Sequence, residues 1–291
     1  MKLLAPLLKR QFRFLNPHAR PSISPREMLL SIWRQRELLK SLVWRDVQGR
    51  YRGSALGLSW SIIHPLILLC LYTFVFAVVF KARWGITGPG ETRTHFSQML
   101  FVGMIVHGII AEVLQRAPSV IISQPNFVKK VVFPLEILPL IAVGSALIHA
   151  CISLVVLVTI VALFNQGLHV TALALPLVWV PLILFGCAVA WLFASIGVFI
   201  RDTAQMMAML TTLLLFASPV FYPISALPLK LQPWLALNPL AWIIEQSRAV
   251  LIGGQWPDLV GLAVWTAIST CSVIVGFAWF QKTRQGFADV I

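Results

Sequence analysis

Few residues in this chain have the types and spacing that catalysis requires. Glu112 and Arg116 lie four positions apart in an apolar stretch, so that on a helix they can pair with each other. His107 and His149 stand alone on apolar stretches, and we expect each to be a hydrogen-bonded packing residue rather than a proton relay. No Ser/His/Asp, Cys/His or HExxH arrangement is recognisable. The sequence therefore predicts no enzyme active site.

Nucleotide, metal and disulfide chemistry also lack their usual motifs. No G-x-x-x-x-G-K-[ST] phosphate-binding loop occurs in the sequence, so the chain does not bind ATP by that route. The four cysteines lie singly in apolar runs, without a CxxC motif or a histidine at ligand spacing. This pattern indicates buried thiols rather than a zinc site or a disulfide framework.

Composition explains where such a chain must reside. Of its 291 residues, 58% are hydrophobic and 11% are charged, and the mean hydropathy is +0.85. Soluble domains are about 45–50% apolar and about 25% charged, so most of this chain needs lipid as its solvent. Proton- or sodium-driven carriers use carboxylates near the middle of the membrane, and none occurs there in this sequence. A membrane protein without a visible energy source is either passive or driven by a partner.

Six stretches are long and apolar enough to cross a bilayer core of about 30 Å as helices. They cover residues 55–80, 96–114, 135–164, 172–200, 204–221 and 259–280. The sequence thus predicts an all-α, polytopic membrane protein. Residues 25–291 form a single transmembrane domain, and residues 1–24 are an N-terminal extension.

The distribution of basic residues predicts the orientation. Lys and Arg outnumber Asp and Glu by 23 to 10, and twelve of the 23 lie in residues 1–54. With six spans, eighteen of the 23 fall on the side of both termini. Because the basic side is the cytoplasmic side, we predict that both termini lie in the cytoplasm. The excess charge is a topology signal with contact to anionic lipids, and no basic globular module remains to bind nucleic acid.

Residues 25–48 are predicted to form an amphipathic helix on the cytoplasmic leaflet. Ser24 and Pro25 suit its first turn, and apolar residues recur at helical spacing beside basic ones. The alternative is a helix packed against the body of the protein. The residues that characterise this helix and its continuation are Trp33, Arg45, Asp46, Arg50 and Arg52.

Three glycines follow at intervals of four residues. Gly49, Gly53 and Gly57 form either a face for close helix contact or a flexible elbow before the first span. Pro65 then removes a backbone donor within that span and predicts a kink.

Two connections have distinctive sequences. The second cytoplasmic connection mixes apolar residues, predicted to be exposed, with lysines, and it forms either an amphipathic element that docks on another protein or a plain turn with snorkelling lysines. Its candidate docking residues are Asn126, Phe127, Val128, Lys129, Lys130 and Phe133. The last outer connection is moderately apolar and predicts re-entrant half-helices that gate a pathway, with one helix capped by Asn238 and running to about Leu251. Its candidate gate residues are Pro219, Pro223, Asn238 and Pro239.

Several segments together resemble the membrane subunits of type-2 ATP-binding-cassette (ABC) exporters of surface polysaccharides. They are WRDV at 44–47, RYRGSALG at 50–57, SW at 59–60 with Pro65, KKVVFP at 129–134, EILP at 136–139, SPVFYP at 218–223 and NPL at 238–240. The resemblance covers about residues 28–285, in order along the predicted spans. The tract 72–76 is closer to O-antigen exporters than to capsule exporters.

The resemblance implies a partner and a cargo. The expected assembly is a homodimer with two copies of a separate ATPase that carries ATP and Mg, while this chain holds no cofactor. The expected cargo is a lipid-linked glycan such as O antigen, which crosses the inner membrane from the cytoplasm. Residues 126–133 would be the docking and gate helix, and residues 219–251 the outer gate helices.

Aromatic faces suit a path for sugar rings, because they stack on a ring without hydrogen bonds strong enough to stop its movement. The alternative is that these residues are interfacial anchors and packing groups. The candidates are Trp60, Tyr72, Phe76, Phe216, Phe221 and Tyr222.

Other functions compete with this interpretation. The cargo could be teichoic acid, a capsular polysaccharide or a small molecule. A membrane enzyme acting on lipid-linked sugar would need catalytic groups, for which only Asp202 and Glu245 are available. A passive lipid scramblase or scaffold would work without ATP.

Overall fold

A computed structural model describes residues 23–80, 93–129, 133–164 and 168–291, and all regular elements in these ranges are helical. The α-helices are α1 (Pro25–Arg34), α2 (Arg36–Arg50), α3 (Trp60–Tyr72), α4 (Arg93–Arg116), α5 (Pro125–Lys129), α6 (Leu138–Phe164), α7 (Leu175–Phe199), α8 (Thr203–Ala217), α9 (Gln232–Ala236), α10 (Pro239–Leu251), α11 (Leu259–Thr283) and α12 (Phe287–Val290). A π-helical stretch, Thr73–Val79, continues α3. The predicted extension, residues 1–24, lies almost wholly outside the described residues.

Four helical stretches are long and apolar enough to cross a membrane. They are His95–Ser119, Leu135–Leu163, Val170–Phe199 and Leu259–Val290, and they coincide with the second, third, fourth and sixth predicted spans. The first and fifth predicted spans contain shorter apolar helices, Trp60–Phe76 and Thr203–Ala217. Helix α8, in the fifth predicted span, ends before Ser218, whose extended backbone precedes Pro219.

The glycines before the first span form an elbow rather than a helix contact. Gly53 has φ +86° and Gly57 has φ +50°, conformations that side chains disfavour, so the helix that precedes them ends here. Among the described residues, no neighbouring atom lies within 4 Å of the place where a Cβ would stand on Gly49, Gly53 or Gly57. The helix of the first span therefore begins only at Trp60, five residues later than predicted.

Side-chain caps set the starts of two helices near the predicted outer side. Asn238 Oδ1 accepts a hydrogen bond from Leu240 N at 3.0 Å, and Pro239 occupies the first turn, as predicted. Asp258 accepts hydrogen bonds from the backbone of Val260 and Gly261 at the start of α11. These caps satisfy backbone donors that no helical carbonyl can reach.

Helix α4 is the centre of the bundle. In its most apolar window 78% of the residues are buried, against 22% in α6 and in α11, so the latter two form much of the outer wall. Helices α7 and α11 pack along one another, and a Cβ on Gly276 would lie only 2.7 Å from the Ala188 carbonyl oxygen. Such close approach of backbones is typical of helix packing in membranes.

The connecting segments collect at two opposite ends. At one end, Ser31 of α1 reaches Glu136 before α6, and Pro118 after α4 lies against Gly197 of α7. At the other end, Thr171 before α7 donates to the Val250 carbonyl oxygen of α10. The described segments predicted to be cytoplasmic thus share one end, and the described segments before α7 and at the end of α10 share the other.

All four cysteines are free, and the prediction of buried thiols is wrong for three of them. Cys70, Cys151 and Cys271 are exposed, while Cys187 is half-buried. The three exposed cysteines lie on outward faces of apolar helices. The apolar sequence around them therefore marks a face directed away from the core, and not burial within the chain.

The contact between Pro118 and Gly197 yields a stability prediction. A Cβ in the variant Gly197→Ala would overlap the Pro118 carbonyl oxygen, and overpacking of this kind costs about 1–3 kcal/mol. We expect a lower unfolding temperature in detergent, measured by scanning fluorimetry.

Gly108→Ala is the matched control, because no atom lies within 4 Å of its added Cβ and alanine favours a helix. The control should match or exceed the unfolding temperature of the wild type. An equal unfolding temperature for Gly197→Ala would contradict the described contact.

Candidate functional site

A cluster of charged side chains joins α2 to two membrane helices. Arg116 Nη2 at the end of α4 donates to Asp46 Oδ1 at 2.5 Å, and Ser145 Oγ of α6 donates to Asp46 Oδ2 at 2.6 Å. Both Asp46 and Arg116 are about three-quarters buried. Asp46 therefore holds α2 against α4 and α6 at once.

The cluster continues along α4 and α6. Arg50 Nη2 donates to Glu112 Oε1 at 2.5 Å, and Arg116 Nη1 donates to the same oxygen at 3.2 Å, so the predicted pairing of Glu112 with Arg116 is confirmed. His149 Nδ1 lies 3.0 Å from Glu112 Oε2. Together, these residues form what we call the charge cluster: Asp46, Arg50, Glu112, Arg116, Ser145 and His149.

The charge cluster keeps Asp46 ionised. Burial alone would raise the pKa of this carboxyl group. Hydrogen bonds from Arg116 and Ser145, and the positive charges of Arg116 and Arg50, outweigh burial and hold the pKa of Asp46 below its usual range. Because the partners satisfy the carboxylate, the cluster tolerates partial removal from water.

A second polar contact fixes α1. Glu136, which is 6% exposed, accepts hydrogen bonds from Ser31 Oγ at 2.7 Å and from Arg284 Nη1 at 3.1 Å. The backbone oxygen of Glu136 also accepts from Trp191 Nε1 at 2.9 Å. This residue joins α1, the start of the third predicted span and the segment after α11.

The predicted interface helix, residues 25–48, is two helices that meet at Gln35. Arg36 Nη1 donates to the Trp33 carbonyl oxygen at 3.0 Å and so satisfies an acceptor at the bend. The buried face of α1 and α2 packs on the body of the protein through Met28, Leu42, Val43 and Val47.

The opposite face of α1 and α2 carries exposed apolar residues among basic ones. Leu29 and Trp33 are 64% and 67% exposed, and the Arg36 guanidinium lies 4.7 Å from the centre of the Trp33 ring. Arg45 and Arg52 are also exposed. One face of α1 and α2 thus packs on the body of the protein. The other face carries the exposed apolar and basic residues on which the predicted contact with the lipid surface depends.

The docking candidates divide into exposed and half-buried residues. Asn126 and Lys129 are exposed on α5, as a docking surface requires. Phe127 and Val128 were expected to be exposed, but both are half-buried, and the Phe127 ring stacks on Phe133 at 4.4 Å. Lys130 lies outside the described residues.

Four of the six path candidates form one group of rings. The Phe221 ring lies 5.4 Å from Phe76, 5.7 Å from Phe216 and 6.1 Å from Tyr72. Phe76 also stacks on Phe96 of α4, which is buried. We call Tyr72, Phe76, Phe96, Phe216 and Phe221 the aromatic group. The fold thus brings the ends of the first and fifth predicted spans together.

The two remaining path candidates differ in position. Tyr222 belongs with the aromatic group, because its hydroxyl donates to the Phe216 carbonyl oxygen at 2.9 Å. Trp60 lies apart from it, at the start of α3 and 38% exposed. Phe216 is 64% exposed, so the aromatic group has an open side as well as a packed side.

The outer-gate candidates surround the beginning of α10. Asn238 Nδ2 donates to Ser218 Oγ at 3.0 Å and to the Ala217 carbonyl oxygen at 3.2 Å, which ties α10 to the end of α8. Pro219 is buried here, whereas Pro223 and Pro239 are half-buried. Asn238 therefore joins the residues immediately before Pro219 at a single junction.

Sequence reasoning missed one residue of this junction. Arg248 is one of the five basic residues on the predicted outer side, yet its side chain is 3% exposed. Its guanidinium donates to the carbonyl oxygens of Met99 and Val220 and to Glu245 Oε1. The available signal was the spacing of Glu245 and Arg248 on an otherwise apolar capped helix.

His107, the second histidine predicted to be a packing residue, lies in the core. His107 is buried, and its Nε2 lies 3.1 Å from the Thr211 carbonyl oxygen, so the predicted packing role is confirmed. Within the described ranges, no group of three or more His, Cys, Asp or Glu side chains is placed to hold a metal ion.

The long apolar helices, with an amphipathic pair fixed across their ends, define a polytopic membrane protein. The sequence profile of the ABC-2 type transporter family matches residues 37–252, and the chain belongs to this family. The predicted family is thereby confirmed. The protein is a membrane subunit of a transporter and not an enzyme.

Individual relatives align over almost the whole chain. The O-antigen export system permease protein RfbA of Myxococcus xanthus is 27% identical over 91% of this chain and 99% of its own length. A protein of the same name from Klebsiella pneumoniae is 23% identical over 88% of this chain and 95% of its own length. The polysialic acid transport protein KpsM of Escherichia coli is 24% identical over 86% of this chain and 95% of its own length.

Proposed function

We propose that this protein is the channel subunit of an ATP-driven exporter that moves a lipid-linked polysaccharide of the O-antigen class across the inner membrane. The observation that carries the proposal is the alignment of 88–91% of the chain with proteins named for O-antigen export. The aromatic group supports it, because open aromatic rings provide weak stacking surfaces for sugars.

The proposed topology has six spans with both termini in the cytoplasm. The grouping of the basic N-terminal helices, α5 and the end of α11 at one end of the bundle supports it. Helices α9 and α10 then dip into the outer leaflet. The burial of α10 against α4 and α7 supports this re-entrant position, since such helices must be enclosed by protein.

The proposed energy source is a separate ATPase, which carries ATP and Mg, while this chain holds no cofactor. Two copies of the chain and two copies of the ATPase form the complex. The ATPase contacts α5, whose exposed Asn126 and Lys129 stand on a base of stacked Phe127 and Phe133. Lys130 belongs to the same proposed surface.

The proposed path runs between the two copies, with α3 and α8 near the shared axis. Their outward faces carry exposed apolar side chains, such as Ile67 and Leu71 on α3 and Met209 and Leu213 on α8, which a second copy or lipid would cover. Glycan passes the aromatic group, Tyr222 and Trp60, while its lipid anchor moves along the side of the dimer. The junction of Pro219, Pro223, Asn238 and Pro239 yields to open the outer end.

A second cargo has some support. The 24% identity to a polysialic acid transport protein is close to the values for the O-antigen relatives, so a capsular polysaccharide is the alternative substrate. Teichoic acid or a small molecule would use the same machinery. A scramblase would move its lipid without ATP.

Transport in vesicles tests the proposed function. We reconstitute the protein with its ATPase and lipid-linked O antigen, and measure glycan protection from an added glycan-degrading enzyme. We expect protection to appear with Mg-ATP and not with ADP, because export against accumulation needs the partner's energy. Equal movement without ATP would contradict the proposal and favour a scramblase. Selective movement of a capsular chain would favour the second cargo.

Charge reversal on α5 tests the docking surface. Lys129→Glu should weaken binding of the ATPase, since reversing a charge within an interface costs on the order of 1.4 kcal/mol, or tenfold in affinity. Co-purification of the ATPase from solubilised membranes measures the loss. The control Lys230→Glu reverses an exposed lysine at the opposite end and should retain the ATPase. Equal retention by both variants would exclude Lys129 from the surface.

Removal of an exposed ring tests the aromatic path. Phe216→Ala should lower the rate of export by roughly two- to tenfold, in line with about 0.5–1.5 kcal/mol for one aromatic contact. The amount and length of surface glycan provide the measurement, normalised to protein level. Phe74→Ala is the control, because Phe74 is 57% exposed on the π-helical stretch that carries Phe76 but lies outside the aromatic group. Equal export by both variants would assign Phe216 to packing.

A further inference from the structure

The docking helix is joined to the central helix by an unbroken series of backbone hydrogen bonds. After α4 ends at Arg116, Val120 N donates to the Ala117 carbonyl oxygen and Ser123 N donates to Ser119. Gln124 N then donates to Ile121, and Phe127 N donates to Gln124, inside the docking element. Consecutive turns of this kind leave no free hinge between Arg116 and α5.

One point on this connection is held fixed by another helix. Ala117 and Ile121 are fully buried, and Pro118 lies so close to Gly197 of α7 that a Cβ could not fit there. A segment fixed at Pro118 can tilt but cannot slide. A displacement of α5 on one side of Pro118 therefore also displaces Arg116 on the other side.

Arg116 is bonded to the interface helix. Its guanidinium donates to Asp46 of α2 at 2.5 Å and to Glu112 at 3.2 Å, and Glu112 in turn accepts from Arg50 of α2. The two ion pairs lie one helical turn apart on both helices, so they resist rotation as well as separation. The chain thus has a continuous bonded route from α5 to α2.

We propose that the pairs Arg116–Asp46 and Glu112–Arg50 transmit movement of the docking helix to the interface helix. This inference rests on the proposed function, in which an ATPase acts on α5. Each ATPase stroke then moves α5 and α2 together, and α2 leads through the elbow at Gly53 and Gly57 into the first span. Arg116 and Asp46 are positioning residues in this scheme and do not contact the cargo.

Other contacts hold α2 in place without connecting it to α4. Val43 packs into the space over Gly144 of α6, where a Cβ would lie 2.6 Å from its Cγ2 atom. Ser31 binds Glu136 ahead of α6. Loss of the Arg116–Asp46 pair should therefore leave α2 attached to α6 while its connection to α4 is reduced to the single pair Glu112–Arg50.

Two variants remove the Arg116–Asp46 pair with small changes in shape. Asp46→Asn and Arg116→Gln both keep a polar side chain, and Glu112 retains Arg50 and His149 as partners in either variant. We expect each to retain the ATPase and to hydrolyse ATP at the wild-type rate, while the glycan exported per ATP falls about fivefold or more, the low end for coupling between two sites. Glu37→Gln is the matched control on the same helix, because its pairs with Arg36 and Lys40 are exposed.

Distance measurements separate transmission from simple stabilisation. Spin labels are placed at Ser123→Cys, beside α5, and at Lys40→Cys on α2, with a reference at Trp279→Cys on α11; all three positions are exposed. The four native cysteines are replaced by serine. Labels are measured in pairs in the full complex, with and without trapped nucleotide, in the wild-type background and with Arg116→Gln.

The expected wild-type result is that both labels move relative to position 279 while their mutual distance stays constant. In Arg116→Gln, nucleotide should change the distance between positions 123 and 40. If position 123 moves in the wild type and position 40 does not, the proposed transmission through the ion pairs is wrong, whereas the proposed docking of the ATPase on α5 is retained. If position 123 does not move during ATP hydrolysis, both proposals fail. Unchanged export per ATP in both variants would also overturn the inference.

Discussion

The ion pairs between α2 and α4 fix how the amphipathic part of this protein relates to its membrane part. A basic helix at a lipid surface is free to slide or to detach unless specific bonds hold it. Here Asp46 accepts hydrogen bonds from Arg116 and Ser145, and Arg50 pairs with Glu112. The partly buried charges are therefore balanced by charges of opposite sign. The exposed apolar face with Leu29 and Trp33 thereby points outward at a fixed position relative to the long apolar helices.

The bundle around this anchor depends on close backbone contacts. Gly197 admits Pro118, Gly276 admits Ala188 and Gly144 admits Val43, each where a larger residue would collide with its neighbour. Since lipid gives apolar helices little reason to associate, such small-residue contacts and polar bonds carry the specificity of packing. The predicted outer end uses hydrogen bonds from the polar side chains of Asn238 and the buried Arg248 instead.

These two ends suit a protein that transmits force rather than one that performs chemistry. Family membership makes the chain the membrane subunit of a transporter. The end that carries α5 is stiff, because hydrogen-bonded turns join it to α4. At the other end, α10 is held to α4 and α8 by hydrogen bonds from Arg248 and Asn238. A stiff connection at one end and a junction of a few hydrogen bonds at the other are consistent with the externally driven gate that we propose.

Local sequence determined most of the helices and their chemistry. The helix start at Asn238 and Pro239, the pairing of Glu112 with Arg116 and four long apolar spans follow from caps, one-turn spacing and hydropathy, all of which act over a few residues. The motifs shared with exporters likewise identified the family. Each of these signals is complete within one segment of the chain.

Tertiary structure alone decided which segments meet. Asp46 and Arg116 are 70 positions apart, and Phe76 reaches Phe221 only because two predicted spans end at the same place. Packing also turned Phe127 and Val128 inward, divided the interface helix at Gln35 and buried Arg248. Periodicity specifies which face of a helix is apolar, but not which neighbour covers it, because that choice depends on the shapes and charges of all the helices at once.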